Sequence, residues 1–282
     1  AFELFKSDLE KRSNGAFKVQ IYDSSKYGNF DAVVQGLQMG VLQMGADATN
    51  NFSVFNPKLM MFDMPFLIPD YESSDQITDG PLGQELANAL EKNNIMGLGY
   101  IEIGFRNIFS SRPVRTLEDA RDLKIRSTHS KAHIAILKAL GMNPPPWRGA
   151  KCTRLCSRRP WTPSISTQPC VVQQVPRNHQ VRDHDQQLLQ PHLVLVSTAF
   201  WSKLDPQQQQ WIRESFNVMQ KFERETIRKN EAMIKQKIVE QGGEVIELSP
   251  EERQRCRSDQ EHRRRLRRCR ASRSDSGNQG YR

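Results

Sequence analysis

Cys152, Cys156, Cys170, His179 and His184 offer the thiolates and imidazoles that zinc ordinarily takes, yet their spacing matches no common zinc arrangement and contains no C-x-x-C pair. His129 and His133 stand four apart, which would turn both to one face of a helix, but no third ligand or general base is evident nearby. No glycine-rich phosphate loop and no nucleophile motif appears, so catalysis has no positive support, and neither a metal nor a cofactor is expected. Arg106 in GFRN and Arg126 in LKIR carry a different chemistry: a guanidinium stays charged and presents paired donors that match the two oxygens of a carboxylate. Taken alone, each reads as a surface or salt-bridging residue, because most arginines are exposed. Asn50 and Asn51 follow a short apolar stretch and could line a cleft, although asparagine is common in loops for turn reasons alone.

The elements that must position these groups alternate. An apolar stripe of Phe2, Leu4, Phe5 and Leu9 predicts a helix closed by Ser13-Asn14-Gly15, and FKVQIYD after it alternates as a strand does. DAVVQGLQMG predicts a second helix stopped by Gly40, and VLQMGADA a short strand leading to Asn50. FNPKLMMFDMPFLIPD, apolar and broken by three prolines, suits a packed loop, and its Met60, Met61 and Met64 read as gap-filling core. The helix GPLGQELANALEKNN precedes the strand IMGLGYIEIG. Thr116 and Asp119 then resemble a capped short helix before the strand LKIRS, which ends near Arg126. KAHIAILKALG is again a helix with a glycine stop. Farther on, PHLVLVSTAFW is strand-like, and Asp205-Pro206 starts a helical stretch to about Glu240, long enough to span roughly 50 Å. GGEVIELSPEERQR supplies a further strand and helix start. The alternation argues for an α/β fold with mainly parallel sheets.

All five cysteines fall in two windows, 146 to 190 and 256 to 282, and so does the charge: seven Lys or Arg against two acids in the first, nine Arg against three acids in the second. Of the total of +9, these windows therefore carry +11 and the remaining 210 residues −2. The pI of about 9.4 would invite a nucleic-acid or membrane-surface partner, but that inference rests wholly on the two windows. No apolar run approaches the roughly 20 residues of a spanning helix. The chain opens on Ala1 inside a helical pattern, so a truncated N-terminus is expected and the absence of a signal peptide is uninformative.

Several segments, in this order, resemble the periplasmic solute-binding subunits of TRAP (tripartite ATP-independent periplasmic) transporters: MPFLIPDYE, DGPLGQEL, GFRNIFSSRPVRTLEDARDLKIR, KALGMNPPP and LVLVSTAFWSKLDPQQQ. The likeness covers residues 1 to 145 and 191 to 255. It implies an α/β, two-lobed periplasmic-binding-protein-like fold with a long helix spanning both lobes. Lobe one would take 1–103 plus about 191–233, and lobe two 104–190 plus about 234–282. The resemblance also implies a periplasmic protein, monomer or homodimer, that captures a small carboxylate ligand, hinges shut on it, and delivers it to the membrane permease. Membrane contact would be only through that permease, with no nucleic acid. Arginines at the positions of Arg106 and Arg126 bind the ligand's carboxylate in that family, with Arg126 as the main anchor. A third family contact, an asparagine after a Val-Asp-Gly motif, belongs in the first window, where no residue can be named for it.

In that family the stretch after the Asn-Pro run typically reads like MAWGEVYTALQQ. Read one frame away from Pro146, the codons of this chain permit MAWGEVYTALQQKTVD at every step, and from Val172 the other shifted frame permits FNKFPEITKYVTMTNNYYS. The expectation is that both windows are frameshifted translations, and that the first displaces a ligand-contacting helix and strand of lobe two. The rival from another class is a basic, zinc-dependent nucleic-acid-binding protein, supported by the two windows and by EHRRRLRRCR alone. A hydrolase using His129 or His133 stands third.

Overall fold

The computed structural model describes residues 1–23, 26–64, 67–110, 113–125, 131–143, 164–167, 180–183, 189, 191–240, 242, 244–247, 249, 251 and 254–255; the side chains of 106, 107, 109, 110, 131–133, 136, 164–167 and 180–183 are excepted. The chain divides into two compact units, Ala1–Phe105 with Leu188–Met233, and Arg106–Gln187 with Ile234–Arg282.

The first unit is built on a three-stranded sheet. Its central strand, β6 (His192–Ser197), reads HLVLVS and is buried along almost its whole length, because four consecutive aliphatic residues have no polar face to give to water. On either side lie β1 (Met44–Ala48) and β2 (Ile95–Ile101), both antiparallel to it, in the register Met44↔Val196 and Ile101↔His192. Leu193 and Leu195 point to one face, into a core with Leu37, Phe52, Leu59, Phe62, Leu86 and Leu90. Val194 points to the other, with Phe5, Leu9, Ile212, Phe216 and Met219. This is the period-2 consequence of a strand with layers on both faces.

Those layers come from helices whose ends are written locally. α1 (Phe2–Arg12) ends where Asn14 and Gly15 take positive φ, and α2 (Phe30–Gln38) is capped by the Asn29 side chain, which accepts from the Ala32 amide. α3 (Tyr71–Thr78) is capped by Asp70, and α4 (Pro81–Asn88) begins on proline. α5 (Leu117–Ala120) and α6 (Lys131–Ala139) are short helices of the second unit and α7 (Thr198–Trp201) a short one of the first, whereas α8 (Pro206–Glu240) runs for 35 residues, the stretch to Met233 in the first unit and the rest in the second. Two glycines of β2 let helices approach from opposite sides. A Cβ on Gly97 would lie 2.4 Å from that of Ala87 in α4, and one on Gly99 would lie 2.5 Å from the ring of Phe216 in α8.

The second unit holds a four-stranded sheet in the order β4 (Ser164–Thr167), β3 (Arg106–Ser110), β5 (Gln180–Asp183), β7 (Glu244–Glu247). Only β5 and β7 run parallel there. The expectation of mainly parallel sheets therefore fails among the described residues. β1 and β2 do run the same way, as alternation implied, but β6 arrives from much later in the chain and inserts between them antiparallel to both. The strand expected over FKVQIYD pairs with no sheet among the described residues. Instead the Phe17 amide donates to Ser13 Oγ (3.1 Å) and the Val19 amide to Glu10 Oε1 (2.9 Å), so side chains of the preceding helix take the bonds a strand would have used. The proline-broken loop is more regular than expected: Pro57–Asp63 forms a 3-10 helix capped by Asn56, with Leu59 and Phe62 buried, Met61 packed on the core and Met60 exposed.

Candidate functional site

Arg106 is the first residue of β3, in register with Thr167, and opens the second unit. The chain reaches it through Gly104 at φ +88, a conformation L side chains rarely adopt, and through the buried Phe105, which bridges to Leu189. The side chain of Arg106 lies outside the described residues. So do Arg126, His129, Cys152, Cys156, Cys170, His179 and His184, and the side chain of His133.

What leads to Arg126 is described. Thr116 Oγ1 accepts from the Asp119 amide while Asp119 accepts from the Thr116 amide, a reciprocal cap that starts α5 as the sequence implied. Asp122 then takes positive φ, and Leu123 to Ile125 pair with Asn143: the Ile125 amide donates to the Asn143 carbonyl at 3.1 Å, and the Asn143 amide donates to the Leu123 carbonyl at 2.9 Å. Leu117, Ala120, Leu123 and Ile125 are buried with Leu137, Leu140 and Met142. The residue before Arg126 is thus fixed by backbone pairing and by core.

Asn50 and Asn51 fall in the 3-10 helix Thr49–Val54 that follows β1, in the first unit, and their roles divide. Asn51 is exposed and its Nδ2 donates to Asp47 Oδ1 at 2.8 Å, a local turn bond of the kind asparagine makes. Asn50 keeps its Oδ1 buried with no hydrogen-bond partner among the described residues, and the buried Thr49 Oγ1 is in the same state. Such atoms cost free energy unless something supplies a donor.

A second constellation, which sequence reasoning did not single out, holds the peptide just ahead of Arg106. Glu102 is 3 % exposed and Glu223, on α8, is 7 % exposed. Arg228 donates to Glu102 through Nε (3.1 Å) and through a closer Nη2 contact, and to Asp75 at 2.7 Å. Arg224 grips Asp79 with both Nη atoms, at 2.6 and 2.8 Å, and lies 3.2 Å from Asp75. The Arg228 guanidinium sits 4.7 Å over the Tyr71 ring, whose hydroxyl donates to Glu231 and whose edge meets Phe105. Burial raises the carboxyl of Glu102 even against Arg228, and burial pushes Glu223 up to about 7. Its hydrogen bond to Glu102 raises Arg228 in turn. The signal was present in YIEIG, where a charge in an apolar strand demands a partner, and in two arginines four apart on one helix face.

No helix among the described residues is long and apolar enough to cross a membrane, and no described group of three or more His, Cys, Asp or Glu could hold a metal ion. The profile of the family described as "Bacterial extracellular solute-binding protein, family 7" matches residues 1–151 and 177–264. Among curated proteins, the chain is similar to the 2,3-diketo-L-gulonate-binding periplasmic protein YiaO of Escherichia coli, 29 % identical over 87 % of this chain and 76 % of that one. It is also similar to the C4-dicarboxylate-binding periplasmic protein DctP of Vibrio cholerae, 27 % identical over 90 % and 77 %. Among solved structures, a TRAP periplasmic solute-binding protein of Ochrobactrum anthropi superposes with a TM-score of 0.85 at 26 % identity, covering 92 % of this chain and 82 % of that chain. With the match running through both units, the reading as a basic zinc-dependent nucleic-acid-binding protein falls. The chain belongs to the family 7 bacterial extracellular solute-binding proteins, the periplasmic solute-binding subunits of TRAP transporters.

Proposed function

We propose that this chain captures a small organic acid in the periplasm and delivers it to a TRAP membrane permease, with Arg126 as the principal carboxylate anchor and Arg106 as its supporter. The observation that carries the reading is a family member with both arginine motifs intact, GFRN and LKIR. Open α/β sheets place their ligands beyond the carboxyl ends of strands, and the stretch Leu123 to Ile125, paired with Asn143, leads directly to Arg126; Arg106 stands at the start of β3. The ligands named for the Escherichia coli and Vibrio cholerae relatives, a diketogulonate and C4-dicarboxylates, share the carboxylate that a guanidinium fork recognises. Asn50 supplies a buried acceptor for a donor group on the ligand, and Asn51 is held back by Asp47.

The mechanism is capture rather than catalysis. Ligand binds the closed form better than the open one and shifts the population toward it by that difference in affinity, and the closed form engages the permease. Titration calorimetry against mono- and dicarboxylates and sugar acids tests the reading. One acid class should bind, and Arg126→Ala should weaken it about a hundredfold or more, since a charge-paired carboxylate would be left unmatched. Equal binding by the Arg126→Ala variant would end the assignment.

A further inference from the structure

The ion cluster on α8 is unbalanced. Four carboxylates, Asp75, Asp79, Glu102 and Glu223, face two guanidiniums, Arg224 and Arg228, and both guanidiniums are committed to the first three. Glu223 has no guanidinium bond among the described residues. What holds it is one backbone donor, the Glu102 amide, 3.0 Å from its Oε2. The charged and titratable groups around it are Glu102 from the peptide leaving β2, Arg224 and Arg228 on its own helix, Asp75, Asp79 and Tyr71 from the α3 region, Glu231 one turn beyond Arg228, and the Ala1 amine. A buried carboxylate with one amide for company and another buried carboxylate beside it does better neutral than charged.

We propose that Glu223 is a proton-operated latch between the long helix and the peptide that leads out of the first unit: protonated, it rests there at little cost, and ionised, it is a buried charge beside Glu102 with no guanidinium bond of its own among the described residues, a cost that the strengthened bond from the Glu102 amide offsets only in part. The latch sits where it matters mechanically, because the peptide from Glu102 continues through Gly104 at positive φ to Phe105, the last residue of that stretch of the first unit. The direction of its effect follows from linkage. A carboxyl that titrates at about 7 in the fold and near 4.5 when free adds stability that is fully present below about 4.5 and is lost as pH rises through about 7. The effect is independent of which ligand the protein takes.

The test compares the full chain with its Glu223→Gln variant, both in a Trp147→Phe, Trp161→Phe background, so that Trp201 and Trp211, which pack in the first unit, report its unfolding. Glutamine keeps the acceptor and cannot ionise. At pH 5 the urea midpoints of the two proteins should lie close together, and at pH 8.5 the Glu223→Gln protein should be the more stable, by up to about a hundredfold in its folding constant. Carbon-13 NMR of the glutamate carboxyls should show one resonance titrating near neutrality that Glu223→Gln removes. A difference between the two proteins that does not change with pH, or a Glu223 resonance titrating near 4.5 in the folded chain, would overturn the proposal.

Discussion

Lys58 and Glu85 meet at 2.8 Å with side chains 70 % and 61 % exposed, while Arg228 reaches a Glu102 side chain that is 3 % exposed. The charge types are the same and the consequences differ. At the surface, water solvates both partners as well apart as together, so the pair contributes little. In the α8 cluster Glu102 has lost its water while Arg228 and Asp75 keep about a third of theirs, so that carboxylate depends on its neighbours and is stranded when Arg228 is removed. The contrast teaches where this fold is sensitive: along the inner face of the long helix rather than at its many outer charges.

Breaking the buried half gives the largest expected effect. Arg228→Ala strands Glu102 and should lower stability by about 3 kcal/mol in urea unfolding, short of the cost of a wholly buried pair because the guanidinium is itself one third exposed. Replacing both partners, Arg228→Met with Glu102→Gln, should recover most of that loss, since no unpaired charge remains. Gly99→Ala should cost about 1–3 kcal/mol, because the new methyl meets the Phe216 ring and one of the two elements must yield. At the outer end of the comparison, Lys58→Ala should leave the melting curve where it was, and 1 M salt should not alter that null result. A large Lys58→Ala effect, or a silent Arg228→Ala, would break the comparison.

Local chemistry was legible in the sequence wherever it is short-range. The Thr116–Asp119 cap, the Gly40 and Gly141 stops at positive φ, and the long helix from Pro206 to Glu240 are each written in residues within a turn of one another. Strand pairing was not. FKVQIYD has a strand's alternation, yet Glu10 and Ser13 take its amides, and helix–strand alternation could not announce that β6 would enter between β1 and β2. The first outcome turns on side chains four and nine residues back that compete for the backbone donors, and the second on a strand far away in sequence; periodicity reports neither. The family was readable from ordered motifs, and the arginine motifs with it. The buried cluster was hidden, because Arg224 and Arg228 lie among so many polar residues on α8 that they resemble a solvated face. The two basic windows are matched in part: the family profile covers 146–151, 177–190 and 256–264, leaves 152–176 unmatched and stops at 264.

The measurement that tests the central claim most directly is a thermal-shift titration of carboxylates, run on this chain, on the same chain with 146–190 restored to the shifted-frame text, and on the Arg126→Ala form of each. The account predicts that one acid class raises the melting temperature of the restored chain by several degrees, that the chain as it stands responds less, and that Arg126→Ala abolishes the response. An acid that stabilises the Arg126→Ala forms as strongly as their parents, or a restored chain that answers to no carboxylate, would contradict it.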